Sequence, residues 1–116
     1  MTRHCLLLDL KDDADLIAAY RAWHAPGRVP GAVIASIRRR GIADMQIWNA
    51  GDRLVMITEY GAGIDPNARS AIDASDPHVL AWEKLMDDFQ RRLEFAHGDV
   101  KWVPAEQVFD LADHDR

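Results

Sequence analysis

The sequence holds a single cysteine, Cys5, so the chain cannot close a disulfide on itself. Its histidines, His4, His24, His78, His97 and His114, include no pair at the i,i+4 or H-x-H spacing of a metal site. Gly61-Ala62-Gly63 is two glycines in a turn and not a phosphate-binding loop, and a G-x-S-x-G nucleophile elbow is missing. The N-terminal apolar run Cys5-Leu6-Leu7-Leu8 is far too short for a membrane span or the core of a signal peptide. The expectations are therefore no metal, no cofactor, no membrane partner and a cytoplasmic location. What remains open is acid/base chemistry by side chains, or binding alone.

With 116 residues, 48% hydrophobic and 28% charged, the chain has room for one globular domain, expected to span residues 1–116. A chain of this size buries roughly 60–70% of its unfolded surface, so its core is thin. The formal net charge is −5. The basic clusters Arg38-Arg39-Arg40 and Arg91-Arg92 lack interleaved aromatics, and they are expected on solvated helix faces, not on a nucleic-acid surface. Arg38 to Arg40 also precede Gly41, where cations suit a helix C-terminus.

Cys5 to Leu10 reads as a first strand, ended by Lys11-Asp12-Asp13. Leu16, Tyr20 and His24, with Ile17 beside them, share one face of a helix that Ala25-Pro26-Gly27 stops. Val33, Ile34 and Ile37 mark a second helical piece ending at Gly41. Ile42 to Trp48 and Arg53 to Tyr60 form a hairpin around Asn49-Ala50-Gly51-Asp52. A short helical stretch is expected around Ala68 to Ala74. The longest helix follows, capped by Asp76 with Pro77 in its first turn, and carries the stripe Trp82, Met86, Phe89 and Leu93. Lys101 to Val103 and Gln107 to Leu111 read as closing strands. The order is β-α-β-β-α-β, the α+β ferredoxin-like arrangement.

Cys5-Leu6-Leu7-Leu8 and Leu54-Val55-Met56-Ile57 are apolar at both odd and even positions. An antiparallel strand with one wet face alternates, so these strands are expected to be covered on both sides. Two helices cover one side. The simplest cover for the other is a second copy, sheet to sheet, giving a homodimeric α+β barrel.

His24 stands out chemically. It closes the first helix, and Tyr20 lies one turn earlier on the same face. A histidine titrates near neutrality and can both give and take a proton. The tyrosine hydroxyl is placed to orient a substrate oxygen or the imidazole. The structural alternative is a histidine whose charge favours a helix C-terminus. Trp82 and Glu83 offer an aromatic plane beside a carboxylate, a pairing suited to a sugar, with Trp48 and Asp44 on the preceding strand as further lining. Core packing is the competing reading for Trp82.

The chain resembles the L-rhamnose mutarotase family, in particular its branch acting on L-fucose. The likeness runs from about Arg3 to Leu111, through Leu8-Asp9-Leu10-Lys11-Asp12-Asp13, Tyr20-Arg21-Ala22-Trp23-His24-Ala25-Pro26-Gly27 and Gly41-Ile42-Ala43-Asp44-Met45-Gln46-Ile47-Trp48. It continues with Arg53-Leu54-Val55-Met56, Trp82-Glu83-Lys84-Leu85-Met86 and Lys101-Trp102-Val103-Pro104. The resemblance implies a dimeric ferredoxin-like barrel, His24 as proton donor and Tyr20 as a substrate contact. It places the aromatic pair of rhamnose enzymes on Trp82 and Glu83, and their strand tyrosine on Met45. Both replacements resemble the fucose-type branch. A Trp-Pro-Glu stretch common in the family is replaced by Pro30-Gly31-Ala32. The implied activity is interconversion of the α and β anomers of a 6-deoxy-L-hexose. The competing function is a non-catalytic binding or stress-type protein on the same scaffold, which fold alone does not separate.

Overall fold

The computed structural model describes residues 2–63, 76–98 and 100–114. Strand β1 (Thr2–Leu10) leads into helices α1 (Ala14–Trp23) and α2 (Gly31–Arg39). The hairpin β2 (Ile42–Ala50) and β3 (Arg53–Tyr60) follows, then α3 (Pro77–Asp87) and two short strands, β4 (Gln90–Arg91) and β5 (Val103–Pro104). The sheet order is β2-β3-β1-β4, with β5 also paired to β1. All pairings are antiparallel. β3 therefore lies between β1 and β2, which is the split arrangement of the ferredoxin-like fold.

Local chemistry sets the boundaries. The Asp13 carboxylate accepts from the backbone N–H groups of Asp15 and Leu16 at 2.9 and 3.0 Å and starts α1. Asp76 does the same for α3, accepting from the His78 N–H at 2.9 Å, with Pro77 in the first turn. At the hairpin, the Asn49 amide donates to the carbonyls of Gly51 and Arg53, both at 3.0 Å, while Gly51 takes a φ of 58°.

The last third of the chain departs from its sequence pattern. The stripe through Phe89 and Leu93 predicts one long helix, yet α3 stops at Asp87. Phe89 and Leu93 remain buried, but they belong to the chain beyond the helix. Pairing with β1 decides this, because Gln90 and Arg91 join the ladder opposite Leu10 and Asp9. Arg91 accordingly leaves the expected helix face. It reaches Asp9 at 3.3 Å and Asp52 at 2.8 Å, and Arg53 meets the same Asp9 at 2.7 Å. These guanidiniums, Arg53 first, hold the buried Asp9 carboxyl below the usual carboxylate range against the effect of burial. The expected strand at Gln107 to Leu111 is not formed: residues 105–110 carry no regular structure and Leu111–His114 is a single 3-10 turn. The helical stretch expected at Ala68 to Ala74 lies outside the described residues.

The core gathers Leu10, Tyr20, Leu54, Met86 and Phe89 between the sheet and the helices. Leu6 and Leu8 of β1 and Leu54, Met56 and Thr58 of β3 face the helices, by the period-two rule. Cys5, Leu7, Val55 and Ile57 point to the opposite face and are only half-buried.

Candidate active site

His24 caps α1, with φ −96° and ψ 2°, and its backbone N–H donates to the Arg21 carbonyl at 3.1 Å. Its Nδ1 lies 2.7 Å from the Tyr20 backbone oxygen. A carbonyl oxygen only accepts, so Nδ1 carries a proton and the neutral ring keeps its lone pair on Nε2. The imidazole is thus held by the Tyr20 backbone carbonyl and not by the Tyr20 hydroxyl. The Tyr20 side chain stacks beside the imidazole, with centroids 4.1 Å apart and planes tilted by 34°. Burial holds the His24 pKa below its ordinary 6.5, and the bond to Tyr20 offsets this only in part. Burial also pushes the Tyr20 hydroxyl up to about 12, with a side-chain hydrogen bond from Gln90 opposing and the charge of Glu83 adding. At neutral pH the pair is thus a neutral imidazole beside a protonated phenol.

Trp82 and Glu83 project from the middle of α3. The Trp82 ring stands edge-on to His24 at 5.4 Å and to Trp23 at 6.2 Å. Glu83 Oε2 accepts from Lys101 Nζ at 2.9 Å, and the same ammonium reaches Asp87 at 2.7 Å. Lys101 follows the turn at Gly98, so the chain after β4 returns to fix the carboxylate.

Tyr20, His24, Trp82 and Glu83 all line one cavity of about 380 Å³ between the helices and the inner face of the sheet. That volume suits a small ligand. Much of the wall is apolar, including Leu6, Val33, Ile37, Met45, Ile47 and Met56. The structure does not bring Asp44 and Trp48 to this cavity. Along β2, Met45 and Ile47 face inward, so Asp44 and Trp48 point to the opposite face, where Trp48 is 61% exposed. A register shift between Ile42 and Asp44 sets this phase.

Several lining residues had no sequence signal. Gln90 arrives through the short β4, Ser36 through α2 and Thr58 through β3, while Arg40, expected on a solvated helix face, follows the end of α2 and lines the cavity instead. Trp102, for which the sequence offers no role, also lines the cavity, and Trp23 packs against Trp82. The Pro30-Gly31-Ala32 departure begins α2, between the lining residues Val29 and Val33. Among the described residues no three His, Cys, Asp or Glu side chains come together as a metal site, and no helix is long and apolar enough to cross a membrane.

The described residues form a ferredoxin-like sheet with helices on one face and a neutral histidine on the wall of a mixed apolar and polar cavity. A model of the L-rhamnose mutarotase family matches residues 3–111 of the chain. The L-fucose mutarotase of Xanthomonas campestris pv. campestris is 46% identical over 113 residues, covering 97% of this chain and 90% of that protein. The crystal structure of an L-rhamnose mutarotase from Formosa agariphila shares the fold, with a TM-score of 0.67 at 15% identity over 95% of this chain and 98% of that one. The chain belongs to the L-rhamnose mutarotase family, and it is a carbohydrate isomerase of the mutarotase type.

Proposed function

We propose that the chain interconverts the α and β anomers of a 6-deoxy-L-hexose, with L-fucose as the preferred sugar, and that His24 carries the proton transfer. The observation behind this reading is the committed tautomer of His24. With Nδ1–H held by the Tyr20 carbonyl, Nε2 is the ring nitrogen left to act as a base, and His24 lines the cavity.

In this mechanism Nε2 takes the proton of the C1 hydroxyl while the ring oxygen accepts one from the protonated Tyr20 hydroxyl or through water. The C1–O5 bond breaks, the C1 oxygen becomes a carbonyl, and rotation about C1–C2 presents its other face. Reclosure returns both protons. General acid/base groups contribute roughly 10²–10⁴-fold, which suffices for a reaction that already proceeds slowly in water. Trp82 offers its plane to the C–H face of the sugar, and Glu83, oriented by Lys101, accepts from a hydroxyl. Asp44 and Trp48 have no part in this reading.

Saturation transfer between anomeric protons tests it across L-fucose, L-rhamnose, L-galactose and D-ribose. Enzyme-dependent exchange is expected for L-fucose first and for L-rhamnose more weakly. No exchange with any of these sugars, from folded protein, rejects the catalytic reading in favour of binding alone.

The protein is further proposed to work in the cytoplasm, as a homodimer of single domains spanning residues 1–116. Cys5, Leu7, Val55 and Ile57 form an apolar strip on the sheet face away from the helices, and Trp48 stands beside it. Val108, Phe109 and Leu111 are 95%, 62% and 71% exposed in the terminal arm. A second copy laid sheet to sheet buries such surface, and large exposed apolar patches are uncommon on monomers. Sedimentation at micromolar concentration is expected to give about twice the 13.1 kDa chain mass. Ile57→Asp is expected to lower that mass to one chain, and a wild-type monomer sinks the dimer.

A further inference from the structure

Ser36 and Thr58 present an unusual pair of hydroxyls. Their residues are 1% and 3% exposed, and neither Ser36 Oγ nor Thr58 Oγ1 has a hydrogen-bond partner among the described residues. Both residues line the cavity that holds His24. A serine inside a helix commonly bonds the carbonyl one turn back, and Ser36 does not. A buried hydroxyl without a partner is less favourable than the alanine or valine that would fill the same space.

Their position gives this cost a purpose. Thr58 lies on β3 opposite Met45 of β2 and His4 of β1. Leu54, a member of the same core cluster as Tyr20, lies four residues back from Thr58 along β3, a separation of roughly 13 Å at about 3.3 Å per residue. Ser36 comes from α2, whose Arg40 lines the cavity one helical turn further on. The cavity therefore has an acid/base end at Tyr20 and His24 and a separate polar end at Ser36, Arg40 and Thr58, with apolar wall between. Each hydroxyl turns about a single χ1 bond, so it can meet an oxygen inside the cavity without backbone movement.

We infer that Ser36 and Thr58 form a second sugar-binding subsite, remote from His24, which holds ring hydroxyls away from C1 and thereby selects which aldose is accepted. This rests on the mutarotase reading above. With C1 at His24, the opposite edge of the pyranose faces the polar end. L-fucose and L-rhamnose share C1 and the methyl group but differ in the configuration of ring hydroxyls, so such a subsite discriminates between them.

The test compares Ser36→Ala and Thr58→Val with wild type, in exchange kinetics and in melting of the free protein. Each deletion is expected to raise KM for L-fucose by roughly 5- to 100-fold, with kcat within about two-fold, the pattern of lost uniform binding. The preference for L-fucose over L-rhamnose is expected to shrink in parallel. The unliganded variants are expected to melt no lower than wild type, because an unmet hydroxyl has been removed. Thr58→Ser, which restores the hydroxyl, is expected to recover most of the lost affinity and serves if Thr58→Val does not fold. Unchanged KM and sugar preference in the folded deletion variants, or a Thr58→Ser variant as impaired as Thr58→Val, overturns the subsite alone. Absence of exchange in wild type overturns the mutarotase reading and the subsite with it.

Discussion

His24→Asn is expected to slow anomer exchange by roughly 10²–10⁴-fold while leaving a folded protein of nearly unchanged melting temperature. Asparagine is the informative replacement because its side-chain amide can still donate toward the Tyr20 carbonyl that now holds Nδ1 at 2.7 Å. The helix end keeps a polar cap, and the basic Nε2 is lost. A histidine serving only as a charge at a helix C-terminus contributes about 0.3–1 kcal/mol, occasionally near 2. Burial weakens even that role, since it disfavours the charged ring. The two roles therefore separate. Loss of the acid/base group gives a stable, slow enzyme, whereas loss of a structural charge gives a slightly less stable, active one. Near-wild-type exchange in His24→Asn removes His24 from the mechanism.

Exchange is also expected to fall by roughly tenfold per pH unit on an acid limb governed by His24, with its midpoint below 6.5. The base is the neutral ring, which burial favours. Stability follows the same proton. Because the folded-state pKa is depressed, the unfolded chain binds the proton first as pH falls. The stability tied to neutral His24 is complete above about 6.5 and declines as pH drops from there toward the lower folded-state pKa. A pH series of exchange rates and urea midpoints checks both. In His24→Asn the decline of stability between pH 7 and pH 5 is expected to flatten. A midpoint at or above 7 contradicts a neutral, desolvated histidine.

The placement of Tyr20 and His24 side by side was legible because it is local. Tyr20 and His24 lie on one helix face, and Ala25-Pro26-Gly27 marks where that helix must stop. Trp82 and Glu83 are adjacent in the chain, and the structure carries both to the same cavity. Asp44 and Trp48 show the limit of such reasoning. Their strand was visible, but which of its faces meets the helices depends on register, and one step of register exchanges the faces. The shift between Ile42 and Asp44 puts Met45 and Ile47 inside and leaves both candidates outside.

Sequence by itself determined the ferredoxin-like order, the cap at Asp76, the glycine-bearing hairpin and the histidine closing the first helix. Each follows from residues within a few positions of one another, where propensity, capping and period act directly. Only the tertiary structure decided that α3 ends before Phe89, that the Tyr20 carbonyl fixes the His24 tautomer, and that Lys101 braces Glu83. It alone brought Ser36, Thr58 and Gln90 to the wall shared with His24. These depend on strand pairing and on contacts between residues distant in the chain, and no local pattern encodes which distant partner a side chain will meet.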